Sequence, residues 1–280
     1  MAAAHRRMHR IGYASAVAVV ACFAARGAQD AAPDSAEQER MLDAMRVYAA
    51  QYVANLPNFL CEQVTRQFEA GRKPNRWRTG DVLTSKLLFS NGQEERNLEL
   101  VNDKPIRPGM RAWRTPLQTE GEFGILMDRV FSAPSQASFI WKGWELVRGQ
   151  RTAVFDFAIT AENSTMTLRL SDLAKATVAY HGTVYGSPEN GAIWRITDAA
   201  TDLPKKLRTK SIATMVDYDQ VSIGEKNYLL PVQATIWMTT DTNNVRNELE
   251  FRNYRKFETD SVIKFAAADE PGSAAAHPKN

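Results

Sequence analysis

The sequence predicts a mainly β protein of the α+β class, a curved antiparallel sheet or half-barrel of about ten strands with helices on its concave face. Two observations predict this class. After residue 58 the chain is a series of strand-length segments, rich in β-branched and aromatic residues and separated by short turns. No stretch has the strand–helix–strand spacing of about 30 residues that a doubly wound nucleotide-binding fold requires.

The N-terminus has the zones of a secretory signal peptide. A basic patch at residues 5–10 precedes the apolar run Ile11–Ala25, and Ala25 and Gly27 are small residues that signal peptidase accepts. The run has 15 residues, fewer than the ~20 that span a bilayer as a helix. We therefore expect a signal peptide at 1–27, cleavage after Gly27, and export to the periplasm or the extracellular space without a permanent transmembrane span.

Three alternatives for this segment remain open. Cleavage after Ala28 would place Arg26 at the −3 position, where a small residue is preferred. The run can also be interpreted as an uncleaved membrane anchor. Finally, residues 19–22 loosely match a bacterial lipobox, which would make Cys22 a lipidated N-terminus.

The positive charge of the chain belongs mostly to the predicted signal peptide. The sequence has 35 basic and 32 acidic side chains, and residues 1–27 hold four of the arginines and no acid. Removing them leaves 31 basic side chains against 32 acidic ones, a net charge of −1. Nucleic-acid binding needs a concentrated basic surface, so nucleic acid is not an expected partner. The basic stretch at 72–78 is interpreted as a solvated loop.

The expected domain spans residues 28–265 and opens with a helix. Ser35 and Gln38 form a capping box, and the apolar residues that follow recur at helical spacing as far as Leu56. Pro57 ends the helix because proline cannot continue the hydrogen-bonded backbone. A second helical segment is expected at 119–131, before Pro134, and a disordered tail at 266–280.

Strand-forming segments with turn signals between them fill the rest of the domain. The clearest turn is Ser90-Asn91-Gly92-Gln93, a strong hairpin signal. The predicted strands are Phe59–Phe68, Asp81–Phe89, Glu95–Val101, Ser138–Val147, Thr152–Thr160, Thr165–Leu170, Thr177–Tyr185, Ala192–Thr201, Leu207–Val221, Tyr228–Thr239 and Val245–Phe257. Their spacing favours pairing of consecutive strands.

The aromatic residues suggest a ligand site on the concave face. Either the helices fill that face and make a plain core, which dense packing favours, or space remains for an apolar ligand. In the second case the candidate ligand-binding residues are Phe123, Met127, Trp141, Trp144, Phe155, Phe157, Trp194 and Trp237.

Catalytic signals are weak. His181 is the one histidine of the expected domain outside the tail, and a strand histidine is more often a structural residue than a base. Asp217 and Asp219 alternate on a strand and would hold a cation weakly; an exposed strand end is the simpler interpretation. Glu120 and Glu122 are the first candidates if carboxylates catalyse hydrolysis. Cys61, in an apolar context, is expected to be an inert core residue. No catalytic residue, metal or cofactor is predicted.

Several stretches resemble a group of exported bacterial proteins of unassigned function. They are Leu56–Cys61, Gly121–Gly124, Tyr180–Gly182, and Asp217–Val221 continuing to Tyr228–Pro231. More distantly, the order of elements resembles the periplasmic superfamily of outer-membrane lipoprotein carriers and sensors. This resemblance implies an N-terminal helix leading into a half-barrel whose apolar concave face is plugged by further helices. It carries no ligand residues to this chain.

Three functions are consistent with these features. The first is a non-enzymatic envelope protein that binds or carries a hydrophobic ligand, a lipid or a lipoprotein acyl chain. The second is an interaction or scaffold module with a filled concave face and an envelope protein as partner. The third is a hydrolase that uses carboxylates or His181.

Overall fold

The computed structural model describes residues 31–71, 76–106, 122–171, 174–200 and 203–257. The described residues from 33 onward belong to one compact unit, to which the following description applies; of the other unit only residues 31 and 32 are described. The predicted signal peptide at 1–27 and the predicted tail at 266–280 therefore lie outside the described residues.

Helix α1 spans Ser35–Asn55. Its N-cap is Asp34, not Ser35 as predicted: the Asp34 carboxylate accepts a hydrogen bond from the Glu37 amide at 2.8 Å. A carboxylate is as good an N-cap as a hydroxyl and also complements the positive end of the helix dipole. The helix ends before Leu56, which has extended backbone angles, as expected for the residue that precedes Pro57.

Eleven strands form one sheet, in the order β4-β3-β2-β1-β13-β12-β11-β10-β9-β6-β5. Every pairing in it is antiparallel, and the sheet is curved and does not close. The predicted fold class is confirmed. The strands are β1 Phe59–Gly71, β2 Arg78–Ser90, β3 Gln93–Val101, β4 Lys104–Pro105, β5 Ser138–Val147, β6 Gln150–Ile159, β9 Tyr180–Gly186, β10 Ile193–Ala200, β11 Thr209–Ile223, β12 Lys226–Thr240 and β13 Asn243–Lys256.

The remaining two strands form a separate small sheet. Strands β7 Thr167–Ser171 and β8 Ala174–Thr177 pair with each other only. The strand predicted at 177–185 corresponds to β9, but its predicted start is too early, because Thr177 belongs to β8 and β9 begins at Tyr180. Val178 and Ala179, which separate the two strands, include neither glycine nor proline, so no turn residue marks the break between them.

Helix α2 spans Ile125–Phe131 and is shorter than the predicted segment at 119–131. A turn at 122–124 precedes it, and residues 119–121 lie outside the described part of the chain. Gly124, with φ +124°, packs so closely on α1 that a side chain at this position would overlap Val53. Glycine at this position allows the close contact between the two helices, and α2 begins directly after it.

One face of the sheet, the inner face, is covered by both helices and holds the core. A single row of buried side chains crosses nine strands on this face: Phe155, Val184, Ile196, Val216, Ala234, Leu249, Thr65, Leu83 and Val101. Met45 of α1 packs on Gly186, where any side chain would overlap it, and the Tyr52 hydroxyl donates to the Leu229 carbonyl at 2.9 Å. These contacts fix α1 across β9–β12.

Candidate binding groove

The helices cover only part of the inner face. A groove of about 520 Å³ lies over strands β3, β2, β1, β13 and β12, beside the first turn of α2. Phe123 and Ile125 border it on the α2 side, and Val53 of α1 also contributes. Within the described residues, the helices thus fill one end of the inner face and leave a groove at the other end. The structure combines the two outcomes considered from the sequence, a plain core and an open space.

Strand β1 supplies a polar floor. Gln63, Thr65 and Gln67 alternate along the strand, face the groove and are all buried. The Gln63 amide nitrogen donates to the Thr65 hydroxyl at 3.0 Å. Its carbonyl oxygen, Oε1, is buried and accepts no hydrogen bond from any described residue. Buried polar atoms are almost always paired, so an unpaired acceptor in a groove marks a place for a ligand or a solvent donor.

The walls of the groove are apolar. Leu83 and Leu98 flank the floor on one side, and Leu249 and Ile236 flank it on the other. Ser85 and Asn247 add two further neutral polar side chains at floor level. A polar floor between apolar walls is suited to a ligand that is mainly hydrophobic and carries a hydrogen-bonding group.

The charged residues of the groove form ion pairs with one another. Arg96 lies 3.6 Å from the Glu94 carboxylate, and both side chains line the groove. Glu122, which is buried behind them, lies 3.5 Å from Arg96. Glu94 also accepts a bond from the Phe123 amide at 3.4 Å, and the Glu122 carbonyl accepts one from the Tyr218 hydroxyl at 3.0 Å. This cluster ties the turn before α2 to strands β3 and β11.

Of the eight predicted ligand residues, Phe123 lines this groove. It packs against Phe59 and Phe251, with ring centroids 5.3 and 5.4 Å apart. Four others are buried in the core away from the groove: Met127, Phe155, Phe157 and Trp194. Trp141 and Trp144 are half-buried and pack on each other at 5.0 Å, at the sheet edge formed by β5. Ligand contact by these residues stays a prediction.

Trp237 lies on the opposite, outer face. It is 36% exposed and borders a shallow channel of about 560 Å³ that runs over Ala158, Ala199 and Ala213. Ile140, 71% exposed, borders the same channel. Trp237 follows Ile236, which lines the groove together with Phe123, and neighbouring residues of a strand face opposite sides of the sheet, so Trp237 does not share a site with Phe123.

The candidate catalytic residues are dispersed. His181 is exposed on the outer face. Asp217 is buried, contrary to the expected exposed strand end, and bonds Arg195 at 2.9 Å, whereas Asp219 bonds Arg148 at 2.5 Å. Glu120 lies outside the described residues, and Glu122 pairs with Arg96. In the described part of the chain no group of three His, Cys, Asp or Glu side chains is arranged to hold a metal ion.

Cys61 behaves as the sequence predicts. Its side chain is buried in the core, and burial raises the pKa of the thiol to about 12. A thiol with so high a pKa forms almost no thiolate at neutral pH and is a poor nucleophile. The predicted burial of Cys61 is confirmed, and its inertness stays a prediction.

Sequence reasoning missed the polar floor and a buried carboxylate. The floor has a readable signal, since Gln63, Thr65 and Gln67 alternate with residues of the other face.

The buried carboxylate is Asp198, which lies on the inner face of β10 and is 5% exposed. Burial raises its pKa from 3.8 to about 6, although a bond from Thr214 and the charge of Arg129 oppose this rise. No sequence pattern distinguishes Asp198 from an exposed strand residue.

Comparison with known proteins gives matches among solved structures. No family model and no curated protein matches the chain. A LolA superfamily protein from Nitrosomonas europaea is 7% identical, with 78% of this chain and 94% of that chain covered and a TM-score of 0.32. A DUF1329 family protein from Desulfovibrio piger is 11% identical over 78% and 92%, with a TM-score of 0.39.

A third structure is an outer membrane lipoprotein-sorting protein domain from Vibrio parahaemolyticus. It is 11% identical, with 81% of this chain and 95% of that chain covered and a TM-score of 0.38. Within the described residues, neither helix has the length and apolar character needed to span a bilayer.

Proposed function

We propose that this protein is a non-enzymatic binder or carrier of the bacterial cell envelope that holds the apolar chain of a lipid or lipoprotein in its inner groove. The observation that carries the proposal is the groove itself. Its volume of about 520 Å³ lies within the range of small-molecule sites, and aliphatic and aromatic side chains flank its polar floor. The predicted signal peptide supports a location in the envelope, where such ligands occur.

Burial of an apolar chain supplies the driving force. Each methylene group removed from water contributes about 0.8 kcal/mol, so a chain with eight buried methylenes gains roughly 6 kcal/mol before the cost of association. The groove walls Leu83, Leu98, Leu249 and Ile236 offer the surface against which such a chain packs. The charged residues that line the groove pair with each other, which is consistent with a binding role rather than acid–base chemistry.

A pair of tryptophan substitutions on one strand tests the proposal. Leu98 is half-buried and faces the groove, whereas the adjacent Asn97 is exposed on the other face of β3. Leu98→Trp places a bulky ring in the groove, and Asn97→Trp places the same ring outside it. We expect Leu98→Trp to weaken binding of a lipophilic naphthylamine dye by about tenfold or more, the equivalent of about 1.4 kcal/mol, and Asn97→Trp to leave it unchanged.

Native mass spectrometry of the wild-type chain purified from the periplasm provides the second measurement. We expect a co-purified lipid or acylated molecule that is reduced in Leu98→Trp and retained in Asn97→Trp. Repeated absence of any adduct, together with dye binding that responds equally to both substitutions, would exclude the groove as a ligand site.

The outer channel is the surface that favours the second candidate function, a module that binds an envelope protein. Its large exposed apolar side chains, Ile140 and Trp237, lie on a sheet face that no described helix covers. If this candidate is correct, Trp237→Ser abolishes the association with an envelope partner and leaves dye binding in the groove unchanged. An association insensitive to Trp237→Ser would contradict it.

A further inference from the structure

The groove has a polar feature that an apolar chain alone does not use. Gln63 is 5% exposed and lines the groove, and its Oε1 atom accepts no hydrogen bond from a described residue. One of the two N–H groups of its amide is donated to the Thr65 hydroxyl at 3.0 Å, which fixes the orientation of the amide and leaves the oxygen as its unpaired acceptor. A buried acceptor of this kind is satisfied by a ligand that brings an N–H or O–H donor.

The neighbouring hydroxyl supplies the complementary group. Because the Thr65 oxygen accepts the bond from Gln63, its own proton can be donated. Gln63 and Thr65 lie on the same face of β1, two residues apart. Their Cα atoms are therefore separated by about 6.8 Å along the strand. The floor thus presents an acceptor beside a donor, and a carboxamide, which has one N–H donor group and one C=O acceptor, matches both.

The charges of the groove oppose a charged head group. The charged side chains that line it in the described part of the chain are Glu94 and Arg96, 3.6 Å apart. Since they pair with each other, neither offers its full charge to a ligand carboxylate, phosphate or ammonium. A charged group that enters a partly dry groove without an opposite partner loses its hydration uncompensated.

We infer that the groove selects an apolar chain joined to an uncharged carboxamide, with Gln63 Oε1 accepting from the ligand N–H and the Thr65 hydroxyl donating to the ligand carbonyl. This inference rests on the proposed function and adds the chemistry of the polar end of the ligand. Fatty acids, phospholipid head groups and alkylamines are disfavoured, whereas the amide of an N-acylated molecule is accepted.

Displacement of the naphthylamine dye by compounds with one common chain tests the inference. Dodecanamide, dodecanoate and dodecylammonium are titrated below their micelle concentrations at about pH 8, where the second is an anion and the third a cation. We expect dodecanamide to compete about tenfold or more better than either charged compound, the effect of one buried hydrogen bond together with the avoided desolvation of a charge. Equal competition, or a preference for a charged compound, would overturn the inference.

Substitutions identify the side chains responsible. Gln63→Met keeps the length of the side chain without its amide, and Thr65→Val keeps the shape of threonine without its hydroxyl. Each is expected to reduce the preference for dodecanamide over the two charged compounds by about fivefold or more, a ratio that a general change in the affinity of the groove for apolar chains would leave unaltered. Gln233→Met, at an exposed position on the other face of β12, is the matched control and should retain the preference.

The outcomes separate the two levels of the proposal. Failure of wild-type protein to bind the dye or any dodecyl compound rejects the proposed function itself. Dye binding with no amide preference, or an amide preference that survives both Gln63→Met and Thr65→Val, rejects only the carboxamide site. If one variant fails to fold, as judged by its circular dichroism, the other still decides.

Discussion

Asp198→Asn should make the protein more stable at neutral pH than the wild type. The Asp198 carboxyl is buried on the inner face of β10, and burial raises its pKa to about 6 from an ordinary value of 3.8. The bond from Thr214 and the charge of Arg129 oppose this rise without cancelling it. An asparagine at this position keeps an oxygen that accepts the Thr214 bond and carries no charge to desolvate.

The sign and size of the effect follow from the two pKa values. Well below pH 3.8 the carboxyl is protonated in the folded and in the unfolded chain, and its stabilising contribution is fully present. Between pH 4 and 6 the unfolded chain ionises first, so the free energy of unfolding of the wild type falls. The difference between 3.8 and about 6 corresponds to a loss of about 3 kcal/mol at neutral pH.

Urea unfolding of wild type and Asp198→Asn at several pH values between about 4 and 7 measures this loss. We expect the stability difference between variant and wild type to grow by about 2–2.5 kcal/mol over that range, since a part of the full loss has already occurred at pH 4. Asp103→Asn, at an exposed turn, controls for the removal of one negative charge. A stability difference that stays constant with pH, or that shrinks toward neutral pH, would refute the assignment of Asp198 as a buried carboxyl with a raised pKa.

Three further predictions concern the core. In urea unfolding, Gly191→Ala should destabilise the protein by more than Gly149→Ala. Both glycines have positive φ, a conformation that costs alanine about 1–2 kcal/mol. At Gly191 the added Cβ would also overlap the Ala44 backbone, whereas at Gly149 it would meet no neighbouring atom. Equal losses would contradict the packing of α1 on this turn. Tyr218→Phe should cost about 1–3 kcal/mol in the same assay, because it leaves the buried Glu122 carbonyl without its donor, and a neutral result would contradict that bond. Cys61 should resist iodoacetamide in the folded chain and react in urea, as located by peptide mass spectrometry; rapid labelling of the folded chain would contradict its burial.

The positions of the strands can be predicted from the sequence because the turns between them contain residues with special backbone preferences. Strand β5 begins and ends at the predicted residues, and the Asn91-Gly92 turn closes the predicted hairpin with both residues at positive φ. Curvature also follows from strand number, since flat sheets of this size are rare. These are local signals or simple consequences of them.

Positions set by tertiary contact are less predictable. The cap at Asp34 and the split between β8 and β9 depend on neighbours that local propensity does not describe. The start of α2 depends on the close approach of Gly124 to Val53, which no local pattern reveals. Each error is a case in which packing overrides a reasonable local preference.

The candidate site is the part least accessible to sequence reasoning. Large aromatic residues are the natural candidates for an apolar site, yet dense packing places most of them in the core or at an edge, and Phe123 alone of the eight lines the groove. The floor is formed instead by medium-sized polar residues, Gln63, Thr65 and Gln67. Their burial depends on which face of β1 the helices leave uncovered, and this is a property of the whole fold.

The central claim is that the inner groove, and no other surface, binds the ligand. Nitrogen-15 NMR of the isotope-labelled chain, titrated with the tightest-binding dodecyl compound, tests it directly. The account predicts that the largest amide shifts fall on Gln63, Thr65 and Ser85, on the inner face. Shifts confined to Ala199, Ala213 and Trp237 at the outer channel, or no shifts at all, would contradict it.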